Sequence, residues 1–416
     1  MLRRYVLASL AVLQLSIALP AFAQAPGQIT SVLLPPWGTL PKTMTERLHA
    51  QTGTQLDTQT LGWDEIRTKI ATSMIANTPP ADATEVDWSW VGQFGAAQWY
   101  QSLGDAVDAK TLADIPSAKI FMFNGQLMAV PYANDFRILI YNRDHLQRAG
   151  IQNVPTTPQQ LLTAAKAIKA ANITKYPIGL PLSATEGSAT AWYLLTKVFG
   201  GELFNDKLEP LFISPGSAGY KAMSFEIEAL KEGLISPAAT GLKDVEVQEL
   251  FKKGDISFDV AGWAGNIAVY TDPGKSQVAS STAAGLMLST SGTARTIGLP
   301  EAVGIPVSAS NKEGAKAFIN WWLKPENQIE SYTTLGNLPT RTSVLKQLNS
   351  EGKLKSGDVI LQQAALVDPL FSQGTPVWYP QFTSAVSTAL NQAAKGELTV
   401  DQAVAQIAAE AKSAMQ

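Results

Sequence analysis

The chain has no cysteine and only two histidines, His49 and His145, in 416 residues. Without cysteine there are no disulfides, no thiolate nucleophiles, no Cys-ligated zinc and no Cys-ligated iron–sulfur clusters. Two histidines leave almost no material for His-based triads or His-rich metal sites. Charged residues make up 16% of the chain and the formal net charge is -3, so the basic footprint of a nucleic-acid binder is missing. There is no G-x-S-x-G, H-E-x-x-H, G-x-x-x-x-G-K-[ST] or G-x-G-x-x-G. Nor is there an internal repeat, a low-complexity tract or a Pro-rich linker.

What is present is ordinary core-forming material, with 45% hydrophobic residues, over a length that suits two to three domains. Arg3 and Arg4 precede an apolar run from Tyr5 to Leu19, and Ala21-Phe22-Ala23 follows. This is the order of a secretory signal peptide. The run is shorter than the roughly 20 residues that span a bilayer. Cleavage near Ala23 is expected, with export to a Gram-negative periplasm; losing Arg3 and Arg4 takes the charge from -3 to -5.

Periodicity then alternates between strand and helix. Strands are expected at Ile29–Leu34, Gln55–Leu61 and Ala83–Val86. Between them, Met44 and Leu48 lie one helical turn apart before Gly53, and Trp63, Ile66, Ile70 and Met74 form one helix face. After Pro131 the pattern restarts with strands at Phe136–Tyr141, Tyr176–Leu182 and Ile256–Ala261. Helices are expected from Asp144, Thr157-Pro158, Thr190, Ser214-Pro215 and Asp244. A strand at Ala302–Pro306 and a helix at Ser310–Leu323 precede a mostly helical last quarter ending in Val400–Met415. Such alternation implies βαβ units and parallel sheets. With no tether between the halves, two lobes joined by crossing strands are expected, later segments returning to the first lobe.

Ligands of open α/β sheets bind beyond the carboxyl ends of the strands. Trp37 follows the first strand, Trp63 the second, and Asp87-Trp88-Ser89-Trp90 the third. Asp135 precedes a strand, and Trp263 and Asn266 follow one. Indole faces beside short carboxylates and amides suit a sugar, whose C–H faces pack on rings and whose hydroxyls bond acceptor oxygens. Each residue also has a packing role open to it: Trp63 on its helix face, Asp87 as a helix cap, Asp135 in a surface pair with Arg137, Trp321 and Trp322 inside a capped helix. Arg341 stands on a turn-like loop, and Trp378-Tyr379 on another. The two histidines are expected in solvent. Asp87 and Asp135 also leave open a glycoside-hydrolase carboxylate pair.

Gly125-Gln126-Leu127-Met128-Ala129-Val130-Pro131 leads into Ile138-Leu139-Ile140-Tyr141-Asn142-Arg143-Asp144, then Ala149-Gly150 and Pro155. Phe251-Lys252-Lys253-Gly254-Asp255 runs on to Gly262-Trp263, and Leu338-Pro339-Thr340-Arg341 follows a helix broken at Pro325. In this order the blocks resemble the extracellular solute-binding proteins of family 1, the carbohydrate-type receptors of bacterial ABC importers. The chain departs from the family's habit at Pro158-Gln159 and at Ile256-Ser257. The resemblance implies an α/β, two-lobed periplasmic-binding-protein fold, each lobe a mostly parallel sheet flanked by helices around a ligand cleft. Residues 24–133 plus about 264–305 would form the N-terminal lobe, and 134–263 plus about 306–416 the C-terminal lobe. It also implies a monomer that closes on a mono- or disaccharide-sized carbohydrate and docks on an inner-membrane permease. No catalysis, cofactor, metal or nucleic-acid partner is implied. Its ligand contacts fall on Trp37, Asp87, Asp135, Trp263 and Arg341. A polyol or an anionic sugar derivative is an alternative solute, with Arg341 as the anion's anchor, and a secreted carbohydrate-active enzyme an alternative function.

Overall fold

The computed structural model describes residues 29–371 and 374–416; the expected leader at 1–23 lies outside them. In chain order the strands are β1 (Thr30–Leu34), β2 (Leu56–Thr60), β3 (Ala83–Asp87), β4 (Met122–Phe123), β5 (Gln126–Leu127), β6 (Ala129–Ala133) and β7 (Leu139–Asn142). They continue as β8 (Ile178–Gly179), β9 (Phe258–Asp259), β10 (Thr282–Gly285), β11 (Thr296–Ile297), β12 (Glu301–Gly304) and β13 (Val367–Asp368). One sheet has the order β2-β1-β3-β12-β6 and a second β10-β7-β9-β8. Each anchors a lobe.

In the first lobe, Val32, Leu33 and Leu34 are at most 1% exposed, because β1 is an inner strand with helices on both faces. The helix Lys42–Thr52 buries Met44 and Leu48 and ends at Gly53, whose φ of 74° suits glycine. The helix Trp63–Ile75 buries Ile66, Ile70 and Met74, the face that the spacing predicts. The helix Lys312–Trp322 is capped by Asn311, whose side chain accepts from the Gly314 N–H. Both of its tryptophans are 1% exposed, and Trp322 stacks on Tyr132 of β6 at 4.2 Å.

In the second lobe, the helices Pro158–Ala170, Glu186–Val198, Ala218–Lys231, Tyr379–Ala394 and Val400–Ala414 bury residues of one large core cluster. A separate cluster joins Ile138, Ile140, Val247, Phe251, Ile267, Tyr270 and Leu345. Several expected elements are shorter. The strand expected at Tyr176–Leu182 is reduced to β8, and Phe136 and Arg137 make only isolated bridges, to Gly298 and Trp263. The helix expected from Ser214-Pro215 starts at Ala218, capped by Ser217. His145, expected in solvent, is 7% exposed, with Nδ1 3.0 Å from Ser257 Oγ.

Among the described residues parallel pairing is confined to β2-β1-β3, β8-β9 and β11-β13, so the sheets are mixed where mostly parallel ones were expected. Strands that enter from the other lobe run antiparallel to their neighbours: β12 against β3 and β6, β7 against β10 and β9. That return also moves the expected lobe boundaries. β10 and the helix Asn266–Tyr270 lie within 264–305, yet β10 pairs with β7, and Ile267 and Tyr270 join the second-lobe cluster. The helix Lys312–Trp322 lies beyond 306, yet it packs on the first lobe through Tyr132. The chain crosses between β11 and β12, and re-enters the second lobe with Val344, Leu345 and Leu348.

Candidate functional site

The crossing segments lie side by side. The first runs from β6 to β7 through Asn134–Ile138, the second from β11 to β12. Leu299 N donates to Asp135 O at 2.8 Å, and Thr296 Oγ1 to Arg137 O at 2.8 Å. A third strand-like segment joins them, where Asn134 donates to Leu338 O and, through its side chain, to Pro339 O, both at 2.8 Å.

Asp87 ends β3, at the carboxyl edge of the first sheet. Its Oδ1 caps the short 3₁₀ turn Trp88–Trp90, accepting from Ser89 N at 2.8 Å. Its Oδ2 accepts from Trp63 Nε1 at 3.0 Å. Trp63 is half-buried, its ring 5.0 Å from that of Trp90, so packing and a polar role coexist. Burial pushes the Asp87 carboxyl up against these hydrogen bonds.

Asp135 lies on the first crossing segment. The pairing with Arg137 expected at the surface is buried instead: 3.4 Å long, with the side chains 15% and 7% exposed. Arg137 is also held by Ala261 O at 3.2 Å and stands 5.2 Å over the Trp263 ring. Asp135 Oδ1 is buried with no partner. Burial pushes this carboxyl up to about 6; Arg137 opposes the shift, while Asp244 and Asp87 add to it.

Trp37 sits on the loop after β1, where its carbonyl accepts from Asn337 Nδ2 at 3.0 Å and its own Nε1 has no partner. Trp37, Asp135 and Trp263 are thus tied to the crossing segments, through Asn337, directly and through Arg137 respectively, while Asp87 stands opposite the start of β12 at the end of β3. Arg341 is not brought to them. Its Nε donates to Asp114 Oδ2 at 2.8 Å and its Nη1 to Leu323 O at 3.2 Å. Trp378 packs edge-on against Phe204 and Phe371.

The neighbourhood is more acidic than the sequence suggests. Glu85, two residues before Asp87, is fully buried and accepts from Tyr132 Oη at 2.9 Å; burial pushes it up to about 8. Glu301 stands opposite Asp87 in the antiparallel β3–β12 pair. Glu186, which accepts from Tyr379 Oη and Thr383 Oγ1, is pushed up to about 7 by burial, and Asp87 contributes. A charge inside an apolar strand is costly unless partnered, and that was the signal available for Glu85.

A cavity of about 600 Å³ lies elsewhere, between Met122–Asn124 and the second lobe. Four of its charged residues, Lys197, Glu202, Arg295 and Asp368, pair with one another in a chain, and Asp206 also lines it. Among the described residues no group of three His, Asp or Glu is placed to hold a metal ion.

Comparison with known proteins accounts for this two-lobed arrangement. Residues 37–329 match the family model for bacterial extracellular solute-binding proteins. The chain belongs to that family. The function is therefore solute binding, not catalysis. A mannitol-binding protein of Pseudomonas aeruginosa is 26% identical over 367 residues, covering 82% of this chain and 81% of its own. Among solved structures, maltose-bound MalE3 of T. maritima superposes with a TM-score of 0.83 at 19% identity, over 92% of this chain and 99% of that one. A solute-binding protein of Agrobacterium radiobacter K84 in complex with ribitol gives 0.83 at 21% identity, over 93% and 98%. These likenesses establish the α/β periplasmic-binding-protein fold.

Proposed function

We propose that this solute-binding protein captures a mono- or disaccharide-sized neutral carbohydrate or polyol between its lobes and delivers it to the permease of an ABC importer. It would act as a monomer in the periplasm, after cleavage near Ala23. The observation that carries this is the convergence at the crossing segments. Asp87 comes from the first lobe, Asp135 lies between lobes, and Trp263 comes from the second, beside Arg137. Carboxylates accept hydroxyl protons and indole faces take C–H surfaces. A site split between lobes is completed by hinge closure.

The polyol reading is favoured by the mannitol-binding relative, which matches most of both chains. An anionic solute is disfavoured because Arg341 is already engaged by Asp114. The test is a thermal-shift screen over neutral sugars, polyols and sugar acids. A solute that binds only the native state stabilises it by about 2.7 kcal/mol at a hundred times its Kd. A bound neutral solute with quenched or shifted tryptophan emission, smaller dimensions in small-angle scattering and no released reducing sugar supports the proposal. Hydrolysis of a glycoside would replace it with the enzyme reading.

A further inference from the structure

Glu301 carries no motif, yet its position is particular. Register places it opposite Asp87 on β3 and opposite Ala133 on β6, with Val303 opposite Glu85. Directly opposed residues share a sheet face, so Glu85, Asp87 and Glu301 line one face at its carboxyl edge. Glu85 is satisfied within the protein by Tyr132 Oη, by Ala302 N at 3.3 Å and by a hydrogen bond with Glu301 itself. That leaves Glu301 Oε2 buried without a partner, as is Asp135 Oδ1. The two open oxygens belong to the two neighbouring crossing segments, where Leu299 N meets Asp135 O.

Among the described residues no cation is in contact with either oxygen. Arg137 is used by Asp135 Oδ2 and Ala261 O, and Arg67, which acts on Asp87, donates to Gln93 Oε1 at 2.9 Å. Burial, then Glu85, Asp87 and Asp135, hold the Glu301 carboxyl protonated far above the ordinary range. The hydrogen bond with Glu85 engages the rest of this carboxyl, and Oε2 is left as a buried acceptor without a donor.

We propose that Glu301 contacts the solute and, with Asp135, restricts the site to solutes that bring hydroxyl donors and no negative charge. This rests on the cleft between the lobes being the capture site. A carboxylate on the solute would bring a second row of acceptors against open acceptors and partly desolvated acids, where repulsion is weakly screened.

The experiment is calorimetric titration of the full chain with three matched pairs: D-mannitol and D-mannonate, ribitol and D-ribonate, maltose and maltobionate. The wild type should bind a neutral member at least tenfold more tightly than its acid. Glu301→Gln, which keeps an acceptor, should stay within about threefold for that neutral member. Glu301→Met, which fills the space without one, should weaken it at least tenfold, while both apo forms melt cooperatively. An acid bound as tightly as its neutral partner overturns the charge restriction. Unchanged affinity in Glu301→Met overturns the contact. If Asp135→Asn then weakens binding, the capture site stands without Glu301; if it too binds normally, the site itself is misplaced.

Discussion

Trp63 donates its indole N–H to Oδ2 of Asp87 across 3.0 Å, while its ring lies against Trp90. One residue thus packs the first lobe and orients a carboxylate at the strand's carboxyl edge. With Ser89 holding Oδ1, neither oxygen of Asp87 turns freely, and the lone pairs left over have fixed directions. Preorganisation of this kind lowers the cost of ordering on binding.

Trp63→Phe separates the two roles. The ring keeps most of its contact with Trp90 but loses the donor. The affinity for the solute should fall about tenfold, the worth of one hydrogen bond to a charged group at about 1.5 kcal/mol. Calorimetry measures the loss, and a melt of the apo form checks that packing survives. Unchanged affinity would show that Asp87 needs no such orientation.

Much of the fold was legible because its signals are local. Hydrophobic spacing found the helices Lys42–Thr52 and Trp63–Ile75, and Gly53 found the end of the first. What was not legible depended on chain crossings. β10 and the helix Lys312–Trp322 each belong to the lobe opposite the one expected, since nothing local records that β10 pairs with β7 or that Trp322 stacks on Tyr132. The site follows the same division. Trp37, Asp87, Asp135 and Trp263 stand at strand ends, where sequence can mark them. Glu85 and Glu301 share a face only through β3–β12 pairing over more than two hundred residues. The depth of the Asp135–Arg137 pair was invisible for the same reason.

That depth changes what Asp135 should do when replaced. At the surface, its loss would leave apo stability nearly untouched. Buried beside Trp263, the Arg137 guanidinium would lose its counter-charge, and breaking such pairs costs up to about 3–5 kcal/mol. Asp135→Asn should therefore lower the apo melting temperature and weaken the solute roughly ten- to hundredfold, through about 1.5–3 kcal/mol of lost charge-assisted bonding. Paired melts and titrations decide it. A lower melting temperature with intact affinity would make Asp135 a structural residue only.

Arg341 should affect stability alone. Its partner Asp114 is pushed up by burial, but hydrogen bonds from Ser343 and Arg341 outweigh this and hold it below the ordinary range. Asp114 also caps the helix Thr342–Ser350, accepting from Ser343 N at 2.9 Å. Arg341→Ala should lower the melting temperature, with the solute's Kd within about threefold of wild type. A Kd weakened tenfold or more at unchanged apo stability would return Arg341 to the ligand site.

Glu226 offers the clearest test of buried charge away from the cleft. It is 0% exposed on the helix Ala218–Lys231, and neither carboxylate oxygen has a partner. Burial alone pushes its carboxyl well above the ordinary range. A group whose folded pKa is raised contributes stability that is fully present below its unfolded pKa, near 4, and is lost as pH rises through the folded value. Glu85 (about 8), Glu186 (about 7) and Asp135 and Asp259 (about 6 each), all raised chiefly by burial, act with the same sign. The wild-type melting temperature should therefore fall between pH 5 and pH 8. Glu226→Gln removes the ionisable group while keeping its volume and an unpaired polar end. Its melting temperature should lie nearest wild type at and below about pH 4, where Glu226 is neutral in the folded chain and largely so in the unfolded one, and exceed it increasingly toward pH 8. Thermal melts at half-unit pH steps test this directly. A mutant curve parallel to wild type across that window would mean that Glu226 does not titrate between the folded and unfolded states, and that its oxygens find a partner in solution.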